Sequence, residues 1–151
     1  TGADIEVNLF NRTRERMETI ADHLSEHGAE DVKGLTADSE IPGLDHARAK
    51  VDADGIGSAD VVLVPLEDGD RAQALSAMGK VEVVIDLNPL SRSAQAASVP
   101  VVDNIIRAVP NITRHARELQ DADESELHAI VESFDPETAL EAAERAIRRG
   151  E

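Results

Sequence analysis

Cysteine is absent from the 151 residues of this chain, and its aromatic side chains amount to two phenylalanines, Phe10 and Phe134. A chain without cysteine has neither a disulfide framework nor a catalytic thiol. No apolar stretch approaches the length needed to cross a bilayer, and no secretory signal is recognisable. These absences exclude disulfide-stapled domains and thiol enzymes, and they predict a cytoplasmic protein with no membrane partner.

Basic side chains are also scarce. The chain has 15 lysine and arginine residues and 31 acidic residues, which gives a formal net charge of −16. Such a charge repels a phosphate backbone, so nucleic acid is an unsuitable partner. Lysine occurs only at Lys33, Lys50 and Lys80. Low lysine with abundant Asp and Glu is typical of a halophilic protein, since the Debye length falls to about 3 Å in molar salt. The alternative is an acidic protein of an ordinary cytosol.

Strand and helix signals alternate along the chain, which predicts a doubly wound α/β fold with a mostly parallel sheet. We expect a buried strand at 61–65, a loop with one helical turn at 41–57, and a kink or break at Pro110. The strand candidates are residues 5–10, 29–35, 61–65, 81–86 and 99–102, and the helix candidates are 13–28, 72–78, 91–97, 105–119, 123–133 and 136–149.

The chain is long enough for one domain with a substantial core. We predict an α/β nucleotide-binding core over residues 1–120 and a helical carboxyl-terminal tail over 121–151, which packs on the core or forms a dimer interface. The tail contains Asp135 at an N-cap and Pro136 at the first helical position. Because the first strand candidate follows Thr1 almost directly, we expect the chain to be a fragment of a longer protein.

Two apolar segments end in polar residues, at Asp86 and at Asp103 with Asn104. In open parallel sheets, ligands bind in the crevice beyond the carboxyl ends of the strands. Asp86 is then placed to accept hydrogen bonds from ribose hydroxyls, and Arg92 is suited to phosphate oxygens. Each residue also has a role that involves no ligand: Asp86 can form a turn, Arg92 can lie on the surface, and Asn104 can be a helix N-cap. The two strand ends together predict a binding site.

Other polar clusters carry weaker signals. One helix candidate is preceded by three acidic residues, Glu67, Asp68 and Asp70. Their negative charges are expected to stabilise the positive, amino-terminal end of the helix dipole, and coordination of a metal ion is the alternative. His23 and His27 are four residues apart without a third ligand, which indicates solvated helix residues. We therefore predict no protein-held metal site.

Long contiguous segments of the chain resemble the archaeal phosphopantothenate synthetase family, the ATP-dependent 4-phosphopantoate–β-alanine ligases. The segments are residues 43–45, 48–52, 54–56, 59–71, 85–92 and 102–104, and the resemblance extends in order from the first residue to at least Pro110. It implies a Rossmann-like α/β enzyme that acts as a homodimer. Family members carry a further region before the point where this chain starts, and that region contributes arginines to the nucleotide site.

The resemblance implies ATP contacts at seven positions, with Asp86 and Asn88 holding the nucleoside and Arg92 meeting phosphate. These positions are Asp86, Leu87, Asn88, Arg92, Ser93, Asn104 and Ile105. The implied reaction condenses 4-phosphopantoate with β-alanine to 4′-phosphopantothenate in coenzyme A biosynthesis. It releases AMP and pyrophosphate through an acyl adenylate, with Mg²⁺ neutralising phosphate oxygens. The resemblance assigns no residue of this chain as the general base.

Two other functions are compatible with the same residues. A regulatory module would bind nucleotide in the same crevice without catalysis, and a dimerisation fragment would use the helical tail and leave the crevice empty. AMP formation would indicate the ligase, and nucleotide binding without turnover would indicate the regulatory module. The absence of nucleotide binding would indicate the dimerisation fragment.

Overall fold

The computed structural model describes residues 2–65 and 69–150. The chain divides into two compact units. Unit 1 consists of Thr1–Val62 and Gln73–Lys80, and unit 2 of Leu63–Ala72 and Val81–Glu151. The carboxyl ends of the two strands that carry the predicted site belong to unit 2, so this unit positions the candidate residues.

Helix α1 (Arg14–Glu26) belongs to unit 1 and begins where the sequence predicts. The Thr13 hydroxyl accepts a hydrogen bond from the backbone N–H of Arg16 at 3.3 Å, which confirms the predicted N-cap. Met17 and Ala21, one turn apart, are its buried residues. The helix ends before Gly28, whose φ of +92° is the left-handed conformation typical of the residue after a helix.

The predicted strands at 5–10 and 29–35 are wrong as regular strands, because the structure shows a single parallel bridge between Glu6 and Lys33. Two backbone hydrogen bonds of 2.8 and 2.9 Å flank this bridge. Pairing stops at Gly34, which has a φ of +96° that no strand residue adopts. The segment is therefore held by side chains and by this bridge rather than by a ladder.

Two very short strands, β1 (Ser39–Glu40) and β2 (Lys50–Val51), pair antiparallel in unit 1. A 3-10 helix at Ala47–Ala49 precedes β2 and confirms the helical turn predicted within this loop. The sequence did not predict β1 and β2, since two residues are too few to show an alternating pattern.

A three-stranded parallel sheet confirms the α/β class. Its strands are β3 (Val61–Val64), β4 (Val81–Asp86) and β5 (Val99–Val102), which lie side by side in chain order. Between them the chain forms the helices α2 (Gly69–Ala77) and α3 (Arg92–Ala96). The register pairs Asp86 with Val102, so β4 and β5 end at the same level.

The buried strand predicted at 61–65 is confirmed as a strand over Val61–Val64, but only every second residue of it is buried. Along β3, Val62 and Val64 are buried, whereas Val61 and Leu63 are 58% and 47% exposed. Successive residues of a strand point to opposite faces of the sheet, so one face of β3 is covered and the other is exposed. An apolar sequence therefore does not imply burial on both faces.

Helix α4 (Ile105–Glu118) begins at Asn104 and passes through Pro110 without interruption. Of the predicted kink or break at Pro110, the break is wrong, because the helix continues through this residue, and the kink stays a prediction. A proline in a helix interior removes one backbone hydrogen bond, and the remaining bonds on either side keep the two halves of α4 continuous. The predicted start at Asn104 is confirmed by its side chain, which accepts a hydrogen bond from the N–H of Ile106 at 2.9 Å.

The tail forms helices α5 (Glu124–Ser133) and α6 (Pro136–Arg149), in which the predicted cap at Asp135 is confirmed and Asp123 caps α5. Helix α6 packs against β5, whereas α5 has no buried residue. Its exposed apolar side chains, together with the residue that follows it, are Leu127, Ile130, Val131 and Phe134. Within residues 2–65 and 69–150, no helix combines the length and apolar character needed to span a membrane.

Candidate functional site

Two neighbouring strand ends create a depression of about 240 Å³ in unit 2, which we call the strand-end depression. It is lined by Pro65, Ile85, Asp86, Leu87, Asp103, Asn104 and Ile105. The structure therefore brings together four of the predicted nucleotide contacts, at Asp86, Leu87, Asn104 and Ile105. Pro65 and Asp103 also line the depression and are absent from the predicted contact set.

Asp86 organises the loop that follows β4. Its Oδ1 accepts the backbone N–H of Asn88 at 2.9 Å, and its Oδ2 accepts the hydroxyl of Ser91 at 2.6 Å. This is the geometry of the turn-forming alternative. An ionised carboxylate has about four acceptor positions, so two bonds leave acceptor capacity for a ligand hydroxyl. Asp86 can therefore hold the turn and accept a hydrogen bond from a ligand hydroxyl at the same time.

Asn88 and Ser91 act locally in the same loop. The Oδ1 of Asn88 accepts the N–H of Leu90 at 3.0 Å, and the Ser91 hydroxyl accepts the N–H of Ala94 at 3.0 Å as the N-cap of α3. Asn88 is exposed and is not among the residues that line the strand-end depression. Its observed contacts therefore fix the turn that positions Asp86.

Arg92 lies outside the lining of the strand-end depression. Its Nη1 donates to Oδ1 of Asp70 at 2.8 Å, and the two side chains are 65% and 59% exposed. Gly69 allows this approach, because a Cβ at that position would lie 2.8 Å from Cβ of Arg92. The sequence analysis missed the ion pair with Asp70, because the two residues lie 22 positions apart and no local pattern connects them. Ser93, in α3, is buried.

Asp103 and Asn104 form the other wall of the depression. Oδ1 of Asp103 accepts the N–H of Asn104 at 2.7 Å and Nε of Arg107 at 2.8 Å. The hydrogen bond from Arg107 holds the pKa of Asp103 below its ordinary value. The side-chain amide nitrogen of Asn104 donates to no atom of the described residues, so it can donate to a ligand.

The charge and size of the strand-end depression favour a nucleoside over a phosphate group. Two carboxylates, Asp86 and Asp103, line it, and the described lining residues include no cation. Carboxylates accept hydrogen bonds from ribose hydroxyls and repel phosphate oxygens. Its volume lies slightly below the common range for small-molecule pockets, about 300–1,000 Å³, which suits one part of a nucleotide. Glu67 and Asp68 lie outside the described residues.

The chain is similar to proteins of one family along its whole length. The family described as phosphopantothenate/pantothenate synthetase matches residues 1–150. A protein of Thermococcus kodakarensis named 4-phosphopantoate–beta-alanine ligase is 53% identical over 134 residues, covering 88% of this chain and 51% of the relative.

Two further relatives carry the same name. The protein of Methanosarcina mazei is 45% identical over 143 residues, covering 95% of this chain and 56% of the relative. The protein of Methanospirillum hungatei JF-1 is 57% identical over 122 residues, covering 81% of this chain and 49% of the relative. The chain thus spans about half the length of the curated relatives it matches. Since the family match extends over residues 1–150, the chain belongs to the phosphopantothenate/pantothenate synthetase family.

Proposed function

We propose that this chain is part of an ATP-dependent ligase that condenses 4-phosphopantoate with β-alanine. The observation that carries the proposal is the convergence of Asp86 and Asn104 on one depression, in a chain whose relatives are named for that reaction. The products are 4′-phosphopantothenate, AMP and pyrophosphate. Within this reaction the strand-end depression binds the nucleoside part of ATP.

Four of the lining residues have a role in that binding. Asp86 accepts hydrogen bonds from the ribose hydroxyls through the lone pairs that its turn contacts leave free. The Asn104 amide donates to an acceptor on the nucleoside. Leu87, which is 64% exposed, and Ile105 offer apolar contact to the base. The strand-end depression thus provides acceptors, a donor and an apolar surface.

In this proposal Arg92 binds the phosphate groups of ATP. A guanidinium has five N–H donors, and the contact with Asp70 uses one of them. Because both side chains are largely exposed, the ion pair is weak and a phosphate can take the place of Asp70. Ser93 and Asn88 are proposed as neighbouring contacts of the nucleotide.

Mg²⁺ enters as part of MgATP. Among the described residues there is no group of three or more His, Asp or Glu side chains suited to hold a metal ion. We therefore assign the ion to the phosphate oxygens of ATP, whose developing charge it neutralises. The chain's own residues orient the nucleotide.

The proposed chemistry proceeds in two displacements. A carboxylate oxygen of 4-phosphopantoate attacks the α-phosphorus of ATP, and pyrophosphate leaves with the bonding electrons. The β-alanine nitrogen then attacks the carbon of the acyl adenylate, AMP leaves, and the nitrogen loses a proton. Exclusion of water protects the acyl adenylate between the two steps.

We also propose that the protein is a cytoplasmic homodimer adapted to concentrated salt. The exposed apolar side chains of α5, which has no buried residue, support a contact surface in the tail. The net charge of −16 supports the salt adaptation. Light scattering in molar KCl measures the oligomeric state, and a monomer would contradict the homodimer.

Asp86→Asn tests the proposed nucleoside site. The amide retains one oxygen for the N–H of Asn88 and can donate to the Ser91 hydroxyl, so the turn persists while ribose acceptors are lost. We expect ATP affinity to fall about tenfold or more, as for loss of a hydrogen bond to a charged group. ATP binding by calorimetry and AMP release that depends on β-alanine are measured in the complete protein.

Asp121→Asn is the matched control, because Asp121 is exposed and makes no side-chain contact with the described residues. It should leave ATP binding unchanged. Equal affinity in the two variants would contradict the nucleoside site. Nucleotide binding without AMP release would support a regulatory module in place of the ligase.

A further inference from the structure

Asp103 lines the strand-end depression beside Asn104, and the proposed nucleotide contacts leave it without a role. Its backbone N–H donates to the carbonyl oxygen of Val101 at 3.1 Å, so the turn between β5 and α4 fixes its main chain. Its side chain is 27% exposed, whereas that of its ion-pair partner Arg107 is 68% exposed. The carboxylate of Asp103 is therefore held against the fold, at the wall of the depression.

The hydrogen bonds that the Asp103 carboxylate accepts all fall on one of its two oxygens. Oδ1 accepts the N–H of Asn104 at 2.7 Å and also accepts Nε and Nη2 of Arg107. Oδ2 accepts no hydrogen bond from residues 2–65 and 69–150. Three donors on Oδ1 fix the orientation of the carboxylate, and Oδ2 keeps its lone pairs for a ligand.

The free oxygen of Asp103 acts as an acceptor and not as a donor at neutral pH. The hydrogen bond from Arg107 keeps the pKa of Asp103 below its ordinary value, so the carboxyl group is ionised. An ionised carboxylate has no proton to donate, and it repels a carbonyl oxygen that is placed against it. Asp103 therefore attracts N–H groups and rejects acceptors.

Asn104 presents the complementary group to the same depression. Its Oδ1 is occupied as the cap of α4, where it accepts the N–H of Ile106 at 2.9 Å. This contact leaves the amide nitrogen, which can only donate, without an acceptor among the described residues. Two consecutive residues thus offer one acceptor, Oδ2 of Asp103, and one donor, Nδ2 of Asn104.

Purine bases differ in the edge that can meet such a pair. Adenine carries an amino group, which donates, beside the ring nitrogen N1, which accepts. Guanine and hypoxanthine carry a carbonyl oxygen, which accepts, beside an N1–H group, which donates. The carboxylate and the amide therefore match adenine at both positions and oppose the other two bases at both. Apolar contact from Leu87 and Ile105 does not discriminate, because every base has an apolar face.

We propose that Asp103 selects the base of the nucleotide, by accepting a hydrogen bond from the amino group of adenine while Asn104 donates to N1. The inference rests on the proposed function, which places a nucleoside in the strand-end depression, and it adds the base specificity of that site. Arg107 is a positioning residue, since it holds Oδ1 and thereby directs Oδ2. A purine with a carbonyl group in place of the amino group loses the hydrogen bond and meets repulsion.

Inosine triphosphate (ITP) is the probe for this selection, because its base has the carbonyl group of guanine and lacks the second amino group. By calorimetry on the complete protein, we expect ATP to bind about tenfold more tightly than ITP, as for one hydrogen bond to a charged group. Asp103→Asn keeps an oxygen for the N–H of Asn104 and places an amide donor where Oδ2 was. It should lower the ratio of ATP to ITP affinity, and Arg107→Ala should lower it less.

The exchange variant Asp103→Asn/Asn104→Asp gives the sharpest result. It puts the donor first and the acceptor second, and a carboxylate at position 104 can still accept the N–H of Ile106 at the start of α4. We expect ITP to bind more tightly than ATP in this variant. Asp121→Asn removes the same charge outside the depression, and as the matched control it should leave the ratio unchanged.

The ratio of the two affinities separates this inference from the proposed function. Equal binding of ATP and ITP by the parent protein would overturn the inference without any variant having to fold. An unchanged ratio in Asp103→Asn and in the exchange variant, each with a parental far-UV circular dichroism spectrum, would also overturn it. In both cases the nucleoside site stands if Asp86→Asn weakens both nucleotides. If the folded parent protein binds neither nucleotide, the nucleoside site and the inference are both wrong.

Discussion

Two depressions of this chain have opposite charge. The strand-end depression in unit 2 is lined by the carboxylates of Asp86 and Asp103. A depression of about 650 Å³ in unit 1, which we call the basic depression, is lined by three cations and one anion. Its lining residues are Arg12, Arg14, Met17, Glu18, Leu35, Thr36 and Lys50. Carboxylates accept hydrogen bonds, whereas guanidinium and ammonium groups only donate them, so the two depressions present opposite hydrogen-bonding groups.

The depressions also differ in how the chain builds them. The first draws mainly on residues 85–87 and 103–105, which end two neighbouring strands. The second combines residues 12–18, 35–36 and 50, which no regular sheet connects. A site at adjacent strand ends follows from topology, whereas a site built from separate segments, here a helix, a loop and a short strand, depends on how those segments pack.

The largest expected effect is on folding itself, which both depressions require. With a net charge of −16, we expect much of the helical signal in far-UV circular dichroism to be lost at low ionic strength. Molar KCl should restore it, since screening reduces the repulsion between carboxylates. A sucrose solution of matched osmolality is the uncharged control. A spectrum independent of salt would show that the charge does not limit folding.

Arg92→Ala should distinguish the nucleotide contacts of unit 2 from ordinary surface charges. We expect ATP binding in the complete protein to weaken by about 1.5–3 kcal/mol, the value for a charge-assisted contact. The fold should persist, because the pair with Asp70 is exposed and such pairs contribute little. Arg145→Ala is the control, since it removes the same charge and Arg145 pairs with Glu141 on α6, outside the strand-end depression. Equal ATP affinity in the two variants would assign Arg92 to the surface.

The smallest expected effect is on the pH dependence of stability. A carboxyl group of unit 1 and a carboxyl group of unit 2 should change stability in opposite directions as pH rises. Burial raises the pKa of Glu6 above its ordinary value of 4.5, although the N–H groups of Ile56 and Asp52 donate to it. The folded state therefore binds more protons than the unfolded state. The contribution of Glu6 to stability should fall as pH rises from 4.5 through its raised pKa.

Asp103 should behave in the reverse way. Its pKa is lowered from 3.8 by Arg107, so its stabilisation is present above 3.8 and is lost as pH falls through the lowered pKa. Urea midpoints measured against pH check both signs. Glu6→Gln should remove part of the decline on the alkaline side of 4.5, and Asp103→Asn part of the decline in acid. Asp121→Asn should leave both slopes unchanged, and identical profiles for all variants would contradict the assignments.

Helix starts and the strand-end site could be predicted because their causes are local. Thr13, Asn104, Asp123 and Asp135 each cap a helix through an N–H two or three residues ahead. The strand-end site follows from one rule of topology, since parallel neighbours finish at a common edge. The apolar segments 81–86 and 99–102 therefore predicted both the strands and the convergence of Asp86 with Asn104.

Only the tertiary structure decided the remaining features. An apolar sequence does not reveal whether one or both faces of a strand are covered, so the exposure of Leu63 was decided by which face of β3 the folded chain covers. The pair of Arg92 with Asp70 joins side chains 22 residues apart. Arg12 and Lys50 come together only when the segments that carry them are folded. Local hydrogen bonds are encoded within a few residues, whereas contacts between distant segments depend on how the whole chain excludes water and packs.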